Sequence, residues 1–160
     1  MDRHQVADAY FKDAYRAPVR SPNAGVIELF AAVFAHHPIW IKLLLLARNG
    51  VASLFGLAVP SPSDILNPTI KENYQVGDKI GPWPLFFVSE TELVAGRDNG
   101  HLDFRLSVLR QGHGVDANVV VSTICNTHNR WGKAYLFFIV PFHKWGVKRL
   151  MANALAAGRL

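Results

Sequence analysis

Acidic side chains are missing from the last quarter of this sequence: between Ala117 and Leu160 there is no Asp or Glu, whereas Arg130, Lys133, Lys144, Lys148, Arg149 and Arg159 are all basic. The formal charge of +5, from 17 Lys and Arg against 12 Asp and Glu, is therefore concentrated at one end. Such asymmetry suits an anionic partner or, more plainly, a solvated helix face. Cysteine is nearly missing too. The single Cys125 excludes a disulfide scaffold. The opening MDRHQVADAY has no apolar stretch of the kind a secretory signal needs, so a reducing, cytoplasmic location is expected. Cys125 lies in VVVSTIC, a strand-like apolar run that makes it a packing residue rather than a nucleophile. Nor is there a long uninterrupted apolar run. Ile39 to Leu57 comes nearest, but Lys42, Arg48 and Asn49 break it, and a charge at the centre of a span costs about 3 kcal/mol. Tyr135 to Phe142 is too short, so no transmembrane helix is expected.

Familiar catalytic signatures are absent as well. There is no phosphate loop, no G-x-G-x-x-G after a strand and no G-x-S-x-G elbow, which removes the usual nucleotide and hydrolase readings. His36 and His37 are adjacent rather than four apart, and no other spacing makes a zinc site, so neither a metal nor a cofactor is called for. Nucleic-acid binding would need exposed aromatics among basic residues. Trp131, Tyr135 and Trp145 near Lys133 and Lys148 fit that description, but a helix also needs such aromatics to seal a core. They are assigned to the core, and nucleic acid is disfavoured.

What is present is globular: half of the residues are hydrophobic and 18% charged, with no repeat and no low-complexity tract. A chain of 160 residues fits one domain, 1–160, that buries roughly 70% of its unfolded surface. Val6 to Tyr15 alternates as a short strand does, Val6, Asp8, Tyr10, Lys12 and Ala14 on one face against Ala7, Ala9, Phe11, Asp13 and Tyr15 on the other. Arg16 to Asn23, with Pro18 and Pro22, reads as a connection in which Ser21 or Asn23 caps the next helix. Val26, Ile27, Phe30, Val33 and Phe34 have helical spacing that ends at His36-His37-Pro38. A second helix starts at Pro38, with Gly50 a break or packing point and Gly56 its end. Val59 to Pro68 is a proline-rich loop, a lid or a tether. Val76 to Ile80, Leu85 to Ser89, Glu92 to Gly96, Leu102 to Leu109 and Asn118 to Asn126 are strand-like runs between turn signals, an antiparallel meander. YLFFIV favours strand locally, yet Asn129 is a good N-cap, and Ala134, Tyr135, Phe138, Phe142 and Trp145 recur at three or four residues. Ala152 to Ala157 is helix-favouring, so a long helix kinked by Pro141 is expected. The order predicts an α+β helix-grip architecture: a curved antiparallel sheet around a long C-terminal helix, the helix pair inserted after the first strand, and a cavity between sheet and helix.

Three polar groups stand out. On a strand, His101, Asp103, Arg105 and Ser107 share a face opposite Leu102, Phe104, Leu106 and Val108. Arg105 could bind a carboxylate or phosphate while Asp103 orients His101 for proton transfer. Alternation alone favours a solvent face with cross-strand ion pairs of under about 1 kcal/mol. Thr127-His128-Asn129-Arg130 stands at the start of the last helix, where anions are attracted, and Asn129 as a simple cap explains it equally well. His143, beside Phe142, is a packed residue or a ligand contact.

With His101-Leu102-Asp103-Phe104-Arg105 followed by His128-Asn129-Arg130, Gly132, Tyr135 and Pro141-Phe142-His143, the chain resembles a bacterial family known only as a domain of unknown function (DUF 2867). Gly77-Asp78-Lys79-Ile80-Gly81-Pro82 and HHPIWIKLLLLARN extend the resemblance over nearly the whole chain. It implies a fold of the START and birch-pollen-allergen (Bet v 1) type and members that stand alone or follow NAD-binding epimerase-like domains. It attaches no reaction, and it offers His101, Asp103, Arg105, His128, Asn129, Tyr135 and His143 as site residues. The leading expectation is a module that binds an apolar small molecule or lipid, its polar end held by Arg105 or His101. The alternatives are a metal-independent isomerase or cyclase using His101, Asp103 and Arg105, and peripheral attachment to an anionic membrane.

Overall fold

The structure is a computed structural model that describes residues 1, 3–21, 23–36, 39–54, 59, 71 and 73–160. The meander expected from the alternating runs is there. After α1 (Arg3–Ala7) come β1 (Phe11–Pro18), α2 (Val26–Phe34) and α3 (Ile39–Leu54). Then follow β2 (Lys79–Ile80), β3 (Trp83–Val88), β4 (Glu92–Asp98), β5 (Leu102–Gln111), β6 (Asn118–Thr127) and the C-terminal helix α4 (Arg130–Ala156). The six strands form one antiparallel sheet in the order β1-β6-β5-β4-β3-β2. The architecture is thus the α+β helix-grip type, with a helix pair between β1 and β2.

Register decides which side chains meet the helices. Asp13, Thr123, Leu106 and Ala95 lie side by side across four strands, as do Tyr15, Val121, Val108 and Leu93. That side carries the core, in which Leu93, Ala95, Leu106, Val108, Val119 and Val121 pack with Leu29, Phe30 and Val33 of α2 and Val147, Leu150, Met151 and Ala154 of α4. Each large apolar side chain removed from water there contributes about 1.5–3 kcal/mol. Trp83 joins three elements, its ring edge-on to Phe30, Phe34 and Phe104 at 6.1–6.3 Å, a favoured aromatic geometry. The opposite side is the outer face, with Lys12, Ile124, Arg105 and Gly96 in one row.

Several boundaries differ from expectation. The first strand is Phe11–Pro18, not Val6 to Tyr15, and a short helix takes Arg3–Ala7. Pairing of Arg16, Ala17 and Pro18 with β6 satisfies backbone that reads as a connection when taken alone, and proline is tolerated where an edge strand ends. Neither Ser21 nor Asn23 caps α2. Gly25 is its N-cap, and its N–H donates to the Glu28 carboxylate at 3.0 Å. Helix α3 runs through Gly50 without a break. Of the second helix's expected limits, His37, Pro38 and Gly56 fall outside the described residues, as does the proline-rich loop apart from Val59. Val76 belongs to a turn, and β2 is only Lys79–Ile80. Among the described residues no helix is long and apolar enough to cross a membrane.

Helix α4 keeps the expected cap: Asn129 Oδ1 accepts from the Gly132 N–H at 3.1 Å. Its far end closes in a Schellman turn. Gly158 (φ 66) donates to Leu155 O at 3.0 Å and Arg159 N to Ala154 O at 2.9 Å, an arrangement that a left-handed glycine allows. Leu160 then turns back into the core, and Arg159 Nε donates to Ala32 O of α2 at 3.2 Å. The aromatic stripe is a correction. Trp131, Phe138, Phe142 and Trp145, with Phe137, are exposed rather than sealed against the sheet.

At the start of α4 the fit is close. A Cβ on Gly132 would stand 2.1 Å from the His101 carbonyl oxygen, and one on Gly146 meets nothing within 4 Å. Gly132→Ala is therefore expected to lose about 1–3 kcal/mol by overpacking, a fall of roughly 2–12 °C in Tm for a chain of this size. Gly146→Ala should gain up to about 1 kcal/mol from helix propensity. Thermal unfolding followed by circular dichroism checks both signs.

Candidate functional site

The polar row of β5 is on the outer face, and neighbouring groups already occupy it. Arg105 Nη1 donates to Asp98 at 2.5 Å and to its neighbour Phe104 O at 2.9 Å. Its guanidinium lies 3.7 Å from the centre of the Phe86 ring, a cation–π contact. A Cβ at Gly96 would lie 2.9 Å from Arg105 Cδ, so glycine gives that side chain its path across the sheet. Asp103 pairs with His128 Nε2 at 3.0 Å and accepts from Asn99 N at 3.1 Å. His101 and Asn129 meet at 2.8 Å through Nδ1 and Nδ2. Because Asn129 Oδ1 is engaged with Gly132, its amide donates and His101 Nδ1 accepts, which leaves the ring proton on Nε2. The backbone adds a bond from His128 N to His101 O at 2.9 Å. His101, Asp103, His128 and Asn129 thus tie the start of α4 to the β4–β5 turn. Farther along, Ser107 donates to Glu92 at 2.6 Å, where the Met1 ammonium also sits.

A second polar group lies on the inner face, where the sequence reading had only His143 and Tyr135. Asp13, with a side chain 10% exposed, is approached at 3.4 Å by His143 Nε2 from α4 and at 3.0 Å by the Tyr15 hydroxyl, which donates to it. The His143 ring stands edge-on to Phe11 at 5.8 Å. Thr123, also buried, is the cross-strand neighbour of Asp13. Beside these lies a small apolar cluster of Leu102, Cys125, Tyr135, Leu136 and Ala52. Phe11, Phe104, Ile139 and Val140 pack around it, half buried. Tyr135 thus belongs to this cluster and His143 to the polar trio. Asp13 and Tyr15 were missed as site residues. The signal was their shared face with Phe11, an acid set between two aromatics on a strand.

Burial pushes the Tyr15 phenol up from 10.0 to about 12, and its hydrogen bond to the Asp13 carboxylate and that group's charge add to the rise. A carboxylate that accepts from a phenol and faces an imidazole can receive a ligand's hydroxyl or ammonium. The imidazole beside it can orient a carbonyl or carry a proton. Among the described residues no group of three or more His, Cys, Asp or Glu could hold a metal ion.

Fold and site together define a helix-grip protein with a polar trio under its C-terminal helix. The chain belongs to the family described as "Protein of unknown function (DUF2867)", whose model matches residues 5–150. No curated protein matches it. Among solved structures it is similar to protein MLL2253 from Mesorhizobium loti, at 10% identity and a TM-score of 0.47, over 94% of this chain and 100% of that one. Ara h 8.0201 matches at 9% identity and a TM-score of 0.40, over 91% of this chain and 98% of that one. At1g70830 of Arabidopsis thaliana, a member of the major latex protein family, matches at 12% identity and a TM-score of 0.32, over 88% and 95%. With TM-scores below 0.5 none of the three likenesses carries weight, and the fold rests on the sheet and helices themselves.

The Tyr15 environment has a measurable signature. Because its folded pKa is raised, its contribution to stability is present below pH 10 and is lost as pH rises through about 12. In a phenolate absorbance titration, one of the four tyrosines should ionise near pH 12, and in Asp13→Asn it should ionise earlier. Denaturant unfolding between pH 10 and 12 should fall more steeply for the wild type than for Tyr15→Phe; parallel curves would remove the assignment.

Proposed function

We propose that this protein binds a small, largely apolar molecule or a lipid between the inner face of the sheet and α4, the polar end of the ligand meeting His143, Asp13 and Tyr15. The observation that carries this reading is the trio itself. A carboxylate in a mostly apolar setting costs desolvation free energy that well-packed hydrophobes would avoid, and its 3.4 Å approach to His143 is long for a hydrogen bond. A pair held slightly apart, beside half-buried apolar side chains, has the mix of apolar lining and few polar anchors usual for ligand sites. The anchor passes from Arg105 and His101 to the trio, because those two serve Asp98, Phe86 and the helix junction on the other side. The same engagements make acid–base chemistry by His101, Asp103 and Arg105 the less favoured reading. The reading takes residues 1–160 as one cytoplasmic domain and requires neither metal nor cofactor.

Native mass spectrometry of the purified protein, followed by denaturing extraction, is the test, with a fluorescent fatty acid as the added probe. A retained small molecule, or saturable probe binding, is expected. His143→Ala and Asp13→Asn should weaken binding roughly tenfold or more while the circular dichroism spectrum is unchanged, since a hydrogen bond to a charged group contributes about 1.5–3 kcal/mol. No retained molecule together with no saturable binding would sink the proposal.

A further inference from the structure

The outward side of α4 combines two features that ordinary solvent-facing helices keep apart. Phe137, Phe138 and Phe142 are 76%, 67% and 67% exposed, and Trp131 and Trp145 are 61% and 52% exposed. At 3.6 residues per turn, Trp131, Phe138, Phe142 and Trp145 make one stripe, and Phe137, in ring contact with Phe138 at 5.3 Å, stands about 100° round the helix from it. Along the side nearest β1 runs a row of exposed lysines, Lys133, Lys144 and Lys148, their ammonium groups 5.5–5.7 Å from the rings of Tyr10, Phe11 and Tyr15. Helix α4 contains no acidic residue, and none occurs anywhere from Ala117 to the C-terminus.

We infer that this face docks α4 flat on an anionic lipid bilayer, the five aromatic rings entering the interface and the lysines resting on the headgroups. The inference is independent of the proposed ligand site. Three observations favour a bilayer over other occupants. The aromatic rings stand on the convex surface of a helix, which suits insertion, whereas bases stack most readily in a groove or on a flat sheet. The lysine row is parallel to the stripe, so rings and charges reach different depths of one plane at the same time, as Trp and Lys do at membrane boundaries. A second copy of the face would bring lysine against lysine with no acid to offset them, which disfavours self-association.

Vesicle flotation and tryptophan fluorescence test this on the full chain, with vesicles of phosphatidylcholine alone or with phosphatidylserine. Binding is expected with phosphatidylserine and not without it, weakening as salt rises. It should bring a blue shift of tryptophan emission. Lys144→Gln with Lys148→Gln should lower the partition coefficient about 30-fold, from about 1 kcal/mol, or fivefold, per lysine near an anionic surface. Phe138→Ser with Phe142→Ser, at exposed positions, should abolish the blue shift while the melting temperature stays put. Failure to float with phosphatidylserine vesicles overturns the inference, as does equal flotation of the aromatic double variant. Saturable binding of single-stranded RNA, or concentration-dependent dimerisation, that is lost in these variants while vesicles go unbound overturns it too.

Discussion

The close seat of Gly132 on the His101 carbonyl fixes how the rest of the molecule is arranged. There the chain leaves β6 and becomes α4, and a glycine is needed because any side chain would enter the space of the β4–β5 turn. Asn129 holds the same point from both directions, capping the helix with its carbonyl and binding His101 with its amide. With that junction set, the direction of α4 over the sheet is set, and with it the side that buries Leu136, Val147, Leu150 and Ala154. Moving His143 toward or away from Asp13, or the aromatic stripe toward or away from solvent, would require the junction to rotate.

Much of the fold was legible because period-two alternation and turn residues are local signals. The runs from Leu85 to Asn126 needed boundary changes of only a few residues. The start of the chain was less legible, since β1 owes its extent through Pro18 to pairing with β6, and no local pattern reports the partner. Spacing identified the aromatic stripe of α4 but not its direction. Periodicity says which residues share a face; only the other elements say whether that face is covered.

The candidate site was half legible for the same reason. Alternation put His101, Asp103 and Arg105 on one face of β5, and they are on one face, the outer one, where cross-strand and helix-junction partners take them up. His143 and Asp13 are 130 residues apart. Their meeting depends on β1 pairing with β6 and on α4 recrossing β1, and no spacing rule spans that distance. What sequence could offer was an acid flanked by aromatics on a strand face, a pattern that becomes meaningful once the helix above it is known.

At 27 residues, α4 is about 40 Å long. One end is held by Asn129 and Gly132 against the β4–β5 turn, the other by Gly158, Arg159 and Leu160 against α2. Mechanically it is a beam clamped at both ends, and such a beam yields at its weakest section. That section is Pro141, which has no N–H to offer the Phe137 carbonyl. Phe142 and His143 follow at once, one facing outward and the other toward Asp13. The section least able to resist bending thus carries, on adjacent residues, a ring on the outer surface and an imidazole on the inner one.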